Sequence, residues 1–489
     1  MNNLEKYFEP FRNNIVGYNQ CFQSPFGEKR IVYADWIASG RLYFPIEEKM
    51  LHQFGPFVGN THSESSITAV TMTHAYHTAH ELLKKHVNAG PDDVIITAGS
   101  GMTTVVNKFQ RILGLAVPEQ VNGFINLAGD DKPVVFVTHM EHHSNQTSWL
   151  LTLADVIVIK PDEHGLVDLN DLANQLKKHH KRKIKIGSFS ACSNVTGIET
   201  PYHQMAKIMH ENGGVCFIDF AASAPYVDIN MHPEDPLEKL DAVFFSPHKF
   251  LGGPGTPGVI IFDSKLYKRK APDQPGGGTV DWTNPWGKYR FFNDIETRED
   301  GGTPGFLQTI KAGLCVQLKN EMGVENIKKR EEDLLKKFFI GLKSLPNLHI
   351  LADNIEERLG VVSFYVDNIH YNLIVKILND LYGIQVRGGC SCAGTYGHYL
   401  LHIGPSLSRK ITSQIDKGDL SVKPGWVRVS LHPTTTDSEL HLIISAIRET
   451  VENIDELKKL YCYISSQNIY RHRNSCEDSI GTFDWFKIS

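Results

Sequence analysis

Between Thr68 and Phe262 the chain repeatedly alternates a short β-branched run with a longer stretch of helical periodicity. The runs are Val94-Ile95-Ile96-Thr97, Val134-Val135-Phe136-Val137, Val156-Ile157-Val158-Ile159, Ile184 to Phe189, Val215-Cys216-Phe217-Ile218 and Val243-Phe244-Phe245. They are almost wholly apolar, which predicts strands covered on both faces, and the stretches between them are long enough to serve as helical crossovers. The expected architecture is α/β, with a mostly parallel central sheet. In such sheets ligands collect beyond the carboxyl ends of the strands, so chemistry is sought there.

After Leu307 the pattern changes. Leu334, Leu335, Phe338, Phe339, Leu342 and Leu345 fall at helical spacing, and Pro346 ends that helix. A strand over Val361 to Val366, a helix over Tyr371 to Tyr382, a strand over Trp426 to Leu431 and a last helix striped by Leu440, Ile443, Ile444, Ile447, Val451 and Ile454 follow. This predicts a smaller α+β domain. The expected boundaries are an N-terminal segment at 1–29, a large domain at 30–310, a small domain at 311–460 and a tail at 461–489. Ala393 to Gly425 reads as a long loop.

Composition narrows the function classes. Of 489 residues, 50 are basic and 55 acidic, a formal net charge of -5 that suggests neither a nucleic-acid nor an anionic-membrane partner. The basic run Lys177 to Lys183 reads as a solvated helix end, where cations suit the macrodipole. No apolar run reaches the ~18 residues that span a bilayer, and a cytoplasmic protein is expected. Eight scattered cysteines predict free thiols in a reducing compartment, with Cys390-Ser391-Cys392 the one local cluster.

Three strand ends carry chemistry-bearing residues. Lys249 lies in Ser246-Pro247-His248-Lys249-Phe250-Leu251-Gly252-Gly253, directly after a strand. A lysine so placed can form an imine if burial or nearby positive charge lowers its pKa; the plain alternative is an exposed loop lysine. Asp219 ends another apolar strand, where a buried acid needs a cation or a hydrogen-bond donor; a helix-capping carboxylate is the alternative. Thr97-Ala98-Gly99-Ser100-Gly101-Met102-Thr103-Thr104, between a strand and a helix, suits an anion held by backbone N–H groups. It has neither the lysine of a P-loop nor the spacing of a dinucleotide fingerprint. The histidines His139, His142 and His143 lack the pattern of a zinc site, so no metal is expected.

Together these elements resemble the class V aminotransferase family of fold-type I pyridoxal-phosphate enzymes, and most closely its cysteine desulfurase and selenocysteine lyase branch. Further matching segments are Tyr33-Ala34-Asp35-Trp36-Ile37-Ala38, Glu141-His142-His143-Ser144-Asn145, Ser193-Asn194-Val195-Thr196-Gly197, Asp300-Gly301-Gly302-Thr303-Pro304 and Trp426-Val427-Arg428-Val429-Ser430-Leu431. The resemblance covers about residues 30 to 455.

The resemblance implies that Lys249 binds pyridoxal 5'-phosphate as a Schiff base, that Asp219 pairs with the ring nitrogen, and that His142 lies against the ring. Gly101, Met102, Thr103, Ser246 and His248 would hold the phosphate, and Asn194 would sit near the ring oxygen and the substrate carboxylate. Thr303 would reach the phosphate from a second subunit, which implies a homodimer with shared active sites. Arg428 and Ala38 would contact substrate, although an edge-strand arginine in water is the plain reading of Arg428. Arg387 is either a second anion contact or a structural residue. Cys392 matches the nucleophile that takes sulfur from cysteine as a persulfide, with a protein sulfur acceptor downstream, and Cys390 lies two positions earlier.

Two departures stand out. The family's D-x-A-Q is here Asp219-Phe220-Ala221-Ala222, and Gly394 to Pro424 is longer than in a compact desulfurase. The rival expectations are a class V transaminase, epimerase or lyase without a catalytic thiol, and a catalytically idle binding or scaffold protein.

Overall fold

Each of the six β-branched runs forms a strand, and all six join one seven-stranded sheet. The computed structural model describes residues 3–61, 65–474 and 482–488. The strands are β1 (Asp93–Ala98), β2 (Val134–Thr138), β3 (Asp155–Ile159), β4 (Lys185–Ser190), β5 (Val215–Asp219), β6 (Ala242–Phe245) and β7 (Gly258–Asp263). Their order across the sheet is β1-β7-β6-β5-β4-β2-β3. The pairs from β6 to β3 are parallel, whereas β7 runs antiparallel to both of its neighbours.

Every residue of β2, β4 and β6 is buried, as their apolar character requires for strands covered on both faces. The flanking helices include α1 (Ile67–His86), α2 (Met102–Ile112), α3 (His143–Leu150), α4 (Leu169–Lys178) and α5 (Tyr202–Glu211). Phe109 of α2 packs edge-on against Phe217 of β5 and tilted against Phe262 of β7, which locks that helix over the middle of the sheet.

Helices α6 (Phe306–Met322) and α7 (Val324–Lys343) lead to a four-stranded antiparallel sheet. It contains β8 (Leu348–Ile350), β9 (Val361–Val366), β10 (Arg387–Gly389) and β11 (Trp426–Ser430), in the order β8-β9-β11-β10. Helix α8 (Tyr371–Tyr382) ends at Gly383 in a left-handed cap, φ 75°. The apolar faces of α7 and α8 share a core with β9 and β11 that includes Leu334, Phe338, Phe364 and Val427.

The segment from Ala393 to Gly425, expected as a loop, instead contains α9 (Gly394–Leu400) and α10 (Pro405–Ile415). None of the α10 side chains is buried; Leu407, Ile411 and Ile415 do recur every fourth position, but the serines and the opening proline around them read as a loop. Helix α11 (Asp437–Glu452) starts with a capping box, in which Thr436 and Glu439 satisfy each other's backbone N–H groups. In the C-terminal stretch, β12 (Tyr461–Ile464) and β13 (Ile469–His472) form an antiparallel hairpin. Cys476 lies outside the described residues; the other seven cysteines are free. Among the described residues no helix is long and apolar enough to cross a membrane.

Candidate active site

The carboxyl ends of β1, β4, β5 and β6 open onto a cavity of about 340 Å³. Its lining holds Ala38, Gly101, Met102, Thr103, His142, Asn194, Asp219, Ser246, His248, Lys249, Cys392 and Arg428. Of the residues expected from sequence, only Thr303 lies elsewhere. It is exposed, and its hydroxyl donates to Asn60 Oδ1 at 3.4 Å.

Asp219 closes β5, and Lys249 stands in the turn that follows β6, so adjacent parallel strands set the two side chains. Burial disfavours the charged form of each. It pulls the Lys249 amine down to about 8, against the opposing pull of Asp219. It pushes the Asp219 carboxyl up to about 7, against a hydrogen bond of 2.8 Å from the Ala221 N–H and the charge of Lys249. An amine that loses its proton near neutrality can attack an aldehyde.

His142 caps α3. Its Nδ1 accepts from the Ser144 N–H at 3.1 Å, and burial together with Lys249 lowers its pKa to about 3. It is therefore a neutral imidazole at working pH.

The anion cup is the start of α2. Gly101 supplies no side-chain cap at the start of this helix, which borders the cavity. The Met102 N–H donates to Ser246 Oγ at 2.8 Å, and the Thr103 hydroxyl pairs with Ser144 Oγ at 2.7 Å. Gly258, at the start of β7, passes so close that a Cβ there would meet the Gly101 carbonyl oxygen at 2.1 Å.

Opposite this floor, the small sheet delivers two guanidinium groups. Arg428 of β11 and Arg387 of β10 are register partners, an unfavourable pairing of like charges. Asp35 resolves it: Oδ1 accepts from Arg428 Nη2 at 2.8 Å and Oδ2 from Arg387 Nε at 2.9 Å. Arg428 is only 3% exposed, because β11 is an interior strand rather than an edge. It also donates to the Asn194 carbonyl at 3.1 Å, and its buried Nε has no partner. Nothing in the spacing of Asp35, Arg387 and Arg428 announces this bridge; only the tertiary fold brings residues 393 positions apart together.

Cys392 is exposed and lines the cavity together with Ser391 and Arg387, whereas Cys390 does not line it. Two further polar residues at the cavity, Ser190 and Cys192, were not singled out in sequence. Burial holds the Cys192 thiol far above its ordinary pKa, so it stays protonated. At position 222, where the family carries a polar group, Ala222 presents only a methyl group to the cavity.

These residues fit pyridoxal phosphate. A buried carboxylate without a cation in hydrogen-bonding contact suits a ring nitrogen, an uncapped helix start suits a phosphate, and a nearly neutral lysine suits an aldehyde. The buried Asn194 Oδ1 also lacks a partner and faces the same space. Fold and site together define a pyridoxal-phosphate enzyme of fold type I.

The chain belongs to the aminotransferase class-V family, whose profile matches residues 32–443. It is 25% identical over 370 residues to a probable cysteine desulfurase of Halalkalibacterium halodurans, covering 74% of this chain and 84% of that protein. A probable cysteine desulfurase of Staphylococcus epidermidis is 26% identical over 373 residues, covering 75% and 84%. Among solved structures, a cysteine desulfurase from Thermococcus onnurineus superposes with a TM-score of 0.73 at 22% identity, covering 91% of this chain and 98% of that one. One from Escherichia coli gives 0.65 at 20% identity, covering 86% and 94%. These last two likenesses speak to the fold.

Proposed function

We propose that this enzyme is a cysteine desulfurase, a cytoplasmic homodimer that converts L-cysteine to L-alanine and leaves the sulfur on Cys392 as a persulfide. The observation that carries the reading is that the Cys392 thiol lines the cavity that also holds Lys249, Asp219 and Arg428, while Cys390 does not. The names of the relatives support it independently.

Pyridoxal phosphate would be held by Lys249, Asp219, His142 and the cup of Gly101, Met102, Thr103, Ser246 and His248, and supplies an electron sink that weakens bonds at the substrate's α and β carbons. Arg428 binds the substrate carboxylate through the Nε–H that has no partner among the described residues. Lys249 Nζ moves protons on and off the substrate carbons, as a lysine poised near neutrality can. The Cys392 thiolate attacks the substrate sulfur: an S–S bond forms, the C–S bond breaks with its electron pair on carbon, and a proton completes the methyl group of alanine. The persulfide sulfur then passes to the thiol of an acceptor protein, which regenerates Cys392.

The test is incubation with cysteine and a reducing thiol, with sulfide and alanine measured together. Wild type should release the two in equal amounts. Cys392→Ala should lose on the order of 100-fold or more of this activity, and Cys390→Ala should keep most of it. Failure of wild type to release either product, or full activity of Cys392→Ala, overturns the reading.

A further inference from the structure

The backbone beneath Cys392 adopts a conformation that needs outside support. Ser391 and Cys392 both lie in the left-handed region, at φ 52° and 57°, which the Cβ atom disfavours. The turn is closed by its own bond from the Ala393 N–H to the Cys390 carbonyl at 3.0 Å, and four hydrogen bonds to other segments fix its place. Asn194 Nδ2 donates to the Ser391 carbonyl at 2.7 Å, and the Thr395 hydroxyl donates to Gln146 Oε1 at 2.8 Å. The two between them belong to a single residue. The His143 N–H donates to the Cys392 carbonyl at 2.8 Å, and His143 Nε2 accepts from the Gly394 N–H at 2.9 Å.

Gly394 is the first residue of α9, so its N–H has no partner within that helix, and the imidazole is the acceptor it finds. To accept there, His143 must be neutral with its proton on Nδ1. Burial and the charge of Lys423 keep its pKa below the ordinary value, which favours that state.

We infer that His143 is a positioning residue for the nucleophile: it grips the chain at the Cys392 carbonyl and again at the Gly394 N–H just beyond, and so holds the left-handed turn that presents the thiol to the cavity. This rests on Cys392 as the sulfur-accepting residue. Substitution leaves the main-chain half of the grip and removes the ring's half, so it loosens the loop without dismantling the site.

The test is hydrogen exchange in the holoenzyme, read by mass spectrometry on the segment 391–397, alongside kcat and KM for cysteine. His143→Ala should speed exchange in that segment and lower kcat by about tenfold to a hundredfold, with KM and the bound-cofactor spectrum unchanged. His143→Gln, whose side-chain oxygen can accept the same N–H, should restore both. His143→Leu, which fills the space of the ring but can accept no hydrogen bond, should reproduce the alanine result, and it decides the matter if His143→Ala does not fold. Unchanged exchange in the variants, or no recovery with glutamine, overturns the inference. If exchange responds as described while wild type yields neither sulfide nor alanine, the grip stands and the desulfurase reading falls.

Discussion

Lys249 and Asp219 are moved in opposite directions by one cause, removal from water, and the cost of that burial is measurable. Unfolded, Asp219 ionises near ~3.9; folded, near about 7, so between those values the folded protein binds the additional proton. Its contribution to stability is therefore lost as pH rises from about 4 to about 7. Asp219→Asn should raise the melting temperature of the cofactor-free protein by a few degrees at pH 8, and the gain should vanish near pH 4. The same substitution should weaken cofactor binding, because an amide cannot neutralise a ring nitrogen. A variant no more stable than wild type at pH 8, by thermal melts across pH, would contradict this account.

Residues that reach the cavity through their place in one strand or turn were legible in sequence. Lys249, Asp219 and the Gly101 to Thr103 cup each follow a strand with a strong apolar signature. His143, Gln146 and Asp35 were not assigned their contacts, because these join segments far apart in the chain and leave no local pattern.

At the scale of elements, the cofactor cup depends on how closely β7 approaches the start of α2. The contact is backbone against backbone, so no rotamer change can relieve an added Cβ. Gly258→Ala should push Gly101 out of place and lower cofactor affinity by about tenfold or more, as titration of the cofactor-free protein would reveal. Unaltered affinity would mean that the cup tolerates displacement. The same packing explains why the six strand signals read so clearly: a sheet covered on both faces permits few polar residues. Helices α9 and α10 escaped notice because they are short and broken by turn-forming residues: α9 has two glycines in seven residues, and α10 opens on a proline and carries three serines.

For the whole molecule, the position of Thr303 matters most. It is exposed and lies outside the cavity of its own chain, so the proposed homodimer assigns it to the other subunit's phosphate. That assignment predicts complementation. Lys249→Ala and Thr303→Ala proteins, each impaired alone, should regain activity when refolded together. In the mixed dimer one site would combine an intact Lys249 with an intact Thr303. Activity that never exceeds the sum of the separate variants would exclude a shared site.

The bridge from Asp35 to Arg428 also bears on how the protein comes into being. Lys249, Asp219 and the cup all lie within the first 263 residues, but Asp35 waits for the second of its two guanidinium partners until 393 positions later. At ribosomal speeds of about 5–20 residues per second, that interval is roughly 20–80 s. The lysine and its acid leave the ribosome well before the thiol at 392, and the anchor for the substrate's carboxylate emerges after both. A nascent chain thus carries the parts that grip the vitamin-derived coenzyme before it possesses the parts that act on an amino acid.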